Sequence, residues 1–194
     1  VSGEAVDAGL GSRADSDSAS DPDSGTDLDA RLARAVRLRE EGRREEARTL
    51  LLDLRDRCPD NVRVAYQTAW VHDTLGLEAE AVPHYVAAVA RPGLSEEDRR
   101  GALLGLGSTY RTLGRHPEAV ATLSAAVEEF PDDQALRTFL SMALYNVGRA
   151  HDGMRLLLTV LAETSADPGV VGYRAAIEYY ARDLDAVEGD AGQA

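Results

Sequence analysis

The sequence predicts an all-α solenoid of stacked helix pairs, and three observations predict it. Past residue 28 the apolar residues recur every three and four positions, as in Leu103, Leu106, Tyr110 and Leu113. That is the period of a one-sided helix, not the alternation of a strand. Four glycines, Gly42, Gly76, Gly114 and Gly148, follow at spacings of 34, 38 and 34 residues. Each is followed by a small residue (Ala47, Ala81, Ala119, Gly153), then by a large apolar one (Leu51, Tyr85, Leu123, Leu157), then by Leu54, Ala88, Ala126 or Val160, always at the same offsets. A fixed period of this length marks a repeat array whose units stack because no helix pair can bury its apolar face alone.

The elements follow in order. Residues 1–27 carry seven acids, one arginine, six serines and no aromatic, so they are expected to be a disordered acidic tail. Residues 28–61 form a first helix pair and residues 62–185 the remaining repeats with a terminal helix; 186–194 is expected to be a flexible C-terminus. Within each unit the glycine permits the positive φ that ends the first helix. The small residue then lets the second helix approach closely, and the large one fills the space beside it. Pro59 and Pro131 close the first and third units. The longer 38-residue spacing places a four-residue insertion within Arg91–Ser95, after which Ser95 and Asp98 read as an N-cap and a first-turn acid. Pro83, beyond the first turn of its helix, is expected to kink it. The last segment reads as a single helix from Pro168 to about Leu184. Asp167 caps it and Tyr173, Ile177, Tyr180 and Leu184 form its apolar stripe. It is expected to cover the end of the array.

Composition narrows the function classes. The 194 residues carry 34 acids against 21 basic residues, a net charge of −13, which disfavours nucleic acid and acidic membranes. No apolar run approaches the roughly 20 residues of a membrane span. There is no signal-peptide pattern, and the single cysteine, Cys58, forms no internal disulfide, so a cytoplasmic location is expected. Nine arginines and six acids in residues 31–57 contain no aromatic and read as a solvated face. No catalytic, metal or cofactor constellation emerges. His72, His84, His116 and His151 fall on different helices or turns. Gly105-Leu106-Gly107 has Tyr110 where a dinucleotide loop needs its third glycine. Ser108 is in mid-helix, without a nucleophile elbow. Glu45-Glu46, Glu96-Glu97 and Glu128-Glu129 sit where solvated helix faces put acids. The chain is therefore expected not to be an enzyme and to hold no metal or cofactor.

The third unit, with Leu103, Leu106-Gly107, Tyr110, Gly114, Ala119, Leu123, Ala126 and Pro131, resembles the tetratricopeptide repeat, and the likeness runs over about residues 28–165. The stretch GLSEEDRRGALLGLGSTYRTLGRHPEAV resembles the bacterial group 5 subfamily, over about residues 62–181. Arg31 and Arg34 replace the expected large apolar residues of the first unit, which reads as a degenerate capping repeat, and Ala65 and Thr68 do so in the second. The resemblance implies a right-handed solenoid of about four helix pairs plus a capping helix. The first helix of each pair would line a concave groove that binds a protein or peptide partner. Carried over by position, the groove presents Leu32, Val36 and Arg39; Arg63, Tyr66, Trp70 and Asp73; Gly101, Leu104, Gly105, Ser108 and Arg111; and Thr138, Phe139, Met142, Tyr145 and Asn146.

Tyr66, Trp70, Phe139 and Tyr145 are four of the chain's ten aromatics, and Gly101, Gly105, Ser108 and Thr112 form a stripe of small residues between them. The stripe reads either as an open trough for an apolar segment or as plain close packing of helices. Arg63 and Arg111 are suited to holding an acidic group. A reading of another class is a homodimeric self-assembly module, with Tyr179 exposed beside a core-facing Tyr180.

Overall fold

The computed structural model describes residues 25–185 and 187. The expected acidic tail up to residue 24, and the expected flexible C-terminus apart from Val187, lie outside the described residues. The described chain is helical, without strands, in the order α1 (Gly25–Glu40), α2 (Arg44–Arg57), α3 (Val62–Thr74), α4 (Glu78–Val89), α5 (Glu96–Thr112), α6 (His116–Glu129), α7 (Gln134–Asn146), α8 (Ala150–Thr164), α9 (Pro168–Gly172) and α10 (Arg174–Arg182). Helix α1 begins three residues before the expected boundary at residue 28, and α4 runs through Pro83 as one helix.

The first eight helices form four antiparallel pairs, each turning on a glycine in the left-handed region: Gly42 at φ 80°, Gly76 at 72°, Gly114 at 73° and Gly148 at 79°. The Ser95 and Asp167 caps follow the sequence signals, and Asp133 adds a third. Ser95 Oγ accepts the Asp98 N–H at 3.0 Å, Asp133 the Leu136 N–H at 2.9 Å, and Asp167 the N–H groups of Gly169 and Val170. Between the helices of a pair the repeat positions meet as the pattern requires. Ala47, Ala81 and Ala119 are fully buried. At the fourth equivalent, Gly153, an added Cβ would lie 2.6 Å from the Ser141 carbonyl oxygen.

Helix α3 joins two cores. Its Val64 and Val71 pack with Leu32, Leu38, Leu51 and Leu54 of the first pair. Its Ala65, Tyr66 and Ala69 face a larger core running through α4 to α7 around Tyr85, Leu106, Leu123 and Leu140. Stability is thus assembled between neighbouring units, as in a one-dimensional array. Arg31 of the degenerate first unit reaches across its pair to the Asp53 carboxylate, and Arg137, at the equivalent place in the fourth unit, does the same with Glu163. An ion pair there replaces the large apolar residue the repeat calls for.

The terminal segment departs from the expected single helix. At Tyr173 (φ −108°, ψ 9°) the chain tightens into a turn, with the Tyr173 N–H donating to the Val170 carbonyl, and α10 starts afresh. Gly172 lies at the break, where a glycine weakens helix continuity. The predicted Tyr173–Ile177–Tyr180–Leu184 stripe is not the docking face. Ala181 is buried, Ile177 and Leu184 are half-buried, and Tyr173 and Tyr180 project outward. Close approach of α10 to α8 selects the alanine side, because a tyrosine there would hold the two helices apart. Tyr179 and Tyr180 are both exposed, at 60% and 53%, and meet edge to face at 5.3 Å.

The histidines are less scattered than their spacing suggests. His72 on α3 and His84 on α4 bring their rings to 5.2 Å. The Arg48 Nε–H points at His72 Nε2 at 3.2 Å, and the His72 Nδ1 lies 2.7 Å from the Thr68 carbonyl oxygen. Burial, His72 and Arg55 push the His84 pKa down from 6.5 to about 4.

Two results are expected. A Cβ at Gly107 would stand 2.4 Å from Leu123 Cγ, whereas one at Gly114 would meet nothing within 4 Å. In urea titrations Gly107→Ala should lose about 1–3 kcal/mol through overpacking, more than the ~1 kcal/mol that alanine gains in a helix, and Gly114→Ala about 1 kcal/mol through backbone strain alone. The His84 shift acts on pH dependence. A histidine that holds its proton less well when folded contributes stability that is full above pH 6.5 and is lost as pH falls towards about 4. Thermal unfolding midpoints of His84→Gln should therefore decline less steeply through that window than those of the parent.

Candidate partner-binding groove

The first helices α1, α3, α5 and α7 pack on one another in sequence, while each second helix lies between the first helices that flank it. The first helices therefore line one face of the array, and twelve of the seventeen residues carried over to the groove, all on α3, α5 and α7, border two adjoining cavities there. One cavity, of ≈440 Å³, takes Tyr66, Trp70, Asp73, Gly101, Leu104, Gly105, Ser108 and Phe139. The other, of ≈420 Å³, takes Arg111, Met142, Tyr145 and Asn146. Ser108 and Arg111 are three residues apart on one face of α5, so the cavities adjoin along that helix. Leu32, Val36 and Arg63 line a third hollow nearer α1.

The first cavity is built on Tyr66, expected there, and on Tyr85, expected only as core filler. An added Cβ at Gly101 would lie 2.2 Å from the Tyr66 hydroxyl, and one at Gly105 would lie 2.4 Å from that of Tyr85. The small-residue stripe is therefore not an open trough at those two positions. It makes room for Tyr66 and Tyr85 from the neighbouring pair, so that the close-packing reading holds there. Tyr66 stacks on Trp70 with centroids 5.6 Å apart, and the Arg39 guanidinium lies 3.5 Å above the far side of that system, over the Trp70 ring. Arg39 also donates to Gln67 Oε1 at 2.5 Å, and burial holds its pKa below the usual range. Burial, with Asp98 and Glu97 nearby, pushes the Tyr66 phenol up to about 12.

Asp73 is the chemical centre of this cavity. Tyr85 donates to one of its carboxylate oxygens at 3.3 Å and Thr109 to the other at 3.2 Å. Burial raises its pKa, and the two hydroxyls pull it back only in part. Glu97 and Asp98, from the first turn of α5, add two further acids to the lining. The first cavity thus combines a carboxylate cluster with aromatic walls. The second is mostly apolar, floored where Gly153 lets α8 meet α7, walled by Tyr145, Met154 and Leu157, and charged by Arg111.

Sequence reasoning missed the contributions of the second helices: Tyr85 from α4, and Ala150, Gly153, Met154 and Leu157 from α8. For Tyr85 a signal existed, since it is the one polar-tipped residue among the four large repeat positions. Leu157 occupies the same position as Leu51 and Leu123, which are 1% and 0% exposed, yet it is 41% exposed because no further pair covers it among the described residues. Of the two arginines expected to hold an acid, Arg63 already pairs with Asp29 at 2.7 Å, whereas Arg111 makes no ion pair with a described residue. In the arginine-rich stretch, Arg31, Arg43, Arg48 and Arg57 pair with neighbouring acids. Among the described residues no three histidines, cysteines or acids group as metal ligands, and no helix is long and apolar enough to cross a membrane.

The family described as Tetratrico peptide repeat matches residues 62–184. Among solved structures, MamA from AMB-1 superimposes with a TM-score of 0.61 at 18% identity, covering 74% of this chain and 78% of that one. PilF of Pseudomonas aeruginosa gives 0.60 at 20% identity, covering 82% and 72%. Nearly identical repeats of a kinesin light chain from Podospora anserina give 0.61 at 20%, covering 84% and 90%. These likenesses establish a shared helical-repeat fold. No curated protein matches the sequence.

The half-buried Asp73 carboxylate is held against the preference of its surroundings. Asp73→Asn keeps an acceptor for Tyr85 or Thr109 while removing the charge. It should leave folding stability unchanged or raise it by less than about 1 kcal/mol, the exposed half of the group screening the effect. Chemical denaturation of parent and variant at pH 7 measures this directly.

Proposed function

Because the chain belongs to the tetratrico peptide repeat family, we propose that it is a non-enzymatic interaction module that takes a segment of a partner protein in its concave groove. The observation that carries this reading is the aromatic and acidic cavity between α3, α5 and α7. There a stacked tyrosine–tryptophan pair, Phe139 and a pre-oriented carboxylate converge on open space. Buried aromatic anchors beside a few placed polar groups are the usual energetic centre of a protein interface. Two further features support it: the Asp73 carboxyl lines the cavity although burial raises its pKa, and Trp70 stays partly exposed although a guanidinium lies over it.

A second reading rests on the far end of the array. Tyr173, Tyr179 and Tyr180 on the terminal segment and Met154, Leu157 and Leu161 on α8 are all exposed, an apolar collection that a second copy of the chain would cover in a symmetric dimer.

One experiment separates the readings. Parent, Trp70→Ala/Phe139→Ala and Tyr179→Ser/Tyr180→Ser proteins of matching helicity are compared by affinity capture and by sedimentation velocity. The groove reading expects capture of a partner to fall at least about tenfold in the first variant, the loss typical of removing anchor residues, with sedimentation unchanged. The dimer reading expects a concentration-dependent larger species in the parent that only the tyrosine variant abolishes.

A further inference from the structure

The second groove cavity holds a cation that no described acid pairs with. The Arg111 Nε is buried and has no hydrogen-bond partner, and the side chain makes no ion pair with any described residue. This is unusual in a chain with 34 acids against 21 basic residues. Elsewhere in this groove arginines are matched: Arg39 lies on Trp70 and donates to Gln67, and Arg63 pairs with Asp29. The nearest acid along the first helices, Asp73, is turned away to the hydroxyls of Tyr85 and Thr109. The terminal N–H groups of the Arg111 guanidinium hydrogen-bond to no described residue either and are not buried, so an acidic group supplied from outside can reach them.

The surroundings define what accompanies that acid. Arg111 shares its cavity with Tyr145, Met154 and Leu157, which are 70%, 49% and 41% exposed. These side chains offer apolar area to a ligand, and the flexible methionine adapts to its shape. We infer that this cavity selects partner segments in which an aspartate or glutamate side chain stands next to a large apolar residue, the carboxylate received by Arg111 and the apolar side chain seated against Met154 and Leu157. The guanidinium fork suits a carboxylate in this role. A side-chain carboxylate is favoured over a chain terminus because the cavity adjoins the Trp70 cavity along α5, so a segment lying in one continues past the other. The inference rests on the groove reading and adds to it the chemistry of the partner.

The test is selection of a random twelve-residue peptide library, displayed on phage with every peptide C-terminus fused, on the full chain and on Arg111→Gln, with Arg111→Met as a second variant. The display format presents no free terminal carboxylate. Parent selections are expected to enrich Asp or Glu within two positions of Leu, Ile, Met or Phe, and the Arg111 variants to lose that preference. A selected peptide is then made in amidated form, with its acid and with the matching amide, and titrated against parent and variant. The acid-to-amide change should weaken binding to the parent about tenfold and binding to Arg111→Gln less than twofold. Enriched peptides that lose binding on Trp70→Ala/Phe139→Ala but show no acid preference, or equal losses on parent and Arg111→Gln, overturn the inference and leave the groove reading standing. No enrichment on the parent, or binding indifferent to both groove cavities, overturns the two together.

Discussion

The structure depends on how closely α5 approaches its neighbours. Gly101, Gly105 and Gly107 lie on one helix, and at none of them does a Cβ fit: Tyr66, Tyr85 and Leu123 occupy the space. Each glycine in a helix interior costs about 1 kcal/mol relative to alanine. The gain is burial of large side chains on both sides of α5, with Tyr85 2% and Leu123 0% exposed. Burying such a side chain contributes roughly 1.5–3 kcal/mol, so close approach wins even after the glycine penalty. Moving α5 outward by the width of a methyl group would uncover both sides together.

That approach also sets the chemistry of the groove. With its ring pressed against Gly105, Tyr85 has only one direction for its hydroxyl, and Asp73 lies there. Thr109, one turn along α5 from Gly105, closes the other side of the same carboxylate. A residue that the repeat uses as core filler thus becomes the positioning group for an acid facing the open cavity. Packing and site share a side chain. Any change that loosens the tyrosine also unfastens the carboxylate, so effects on stability and on recognition at Gly105 and Tyr85 are physically inseparable, whereas at Trp70, Phe139 and Arg111 they are not.

Most of the fold was legible because repeat proteins write each contact several times. The glycine turns, the small and large positions and the Ser95 and Asp167 caps fall where periodicity and capping chemistry place them. That the residues carried over from α3, α5 and α7 share one surface was legible for the same reason, since residues on one helix face lie together whatever packs behind them. What did not show was anything set by distance across units. The proximity of His72 to His84, the ion pairs of Arg31 and Arg137, and the tyrosines behind the glycine stripe depend on interhelical spacing that no single period encodes. The terminal segment was misread because its stripe was chosen by hydrophobic size. The contact with α8 was instead decided by how near two helices can come, and that favours Ala181 over Tyr180.

The same reasoning explains why the α8 end of the groove differs from its middle. A large repeat residue is buried only when a following pair closes over it: Leu51, Tyr85 and Leu123 each have one, and Leu157 has α10 alone, docked along a different edge of α8. Apolar exposure there is a consequence of array position and would arise with any leucine. Arg111 is different, because nothing in the repeat demands a cation at that place and the equivalent position one unit earlier carries Asp73. Two adjacent first helices therefore present opposite charges at the same structural address, one satisfied by hydroxyls and the other without an acceptor for its Nε among the described residues. A repeat fold supplies the shape of a groove almost automatically. Its selectivity has to come from substitutions that packing does not require, and in this groove the charge reversal between Asp73 and Arg111 is such a substitution.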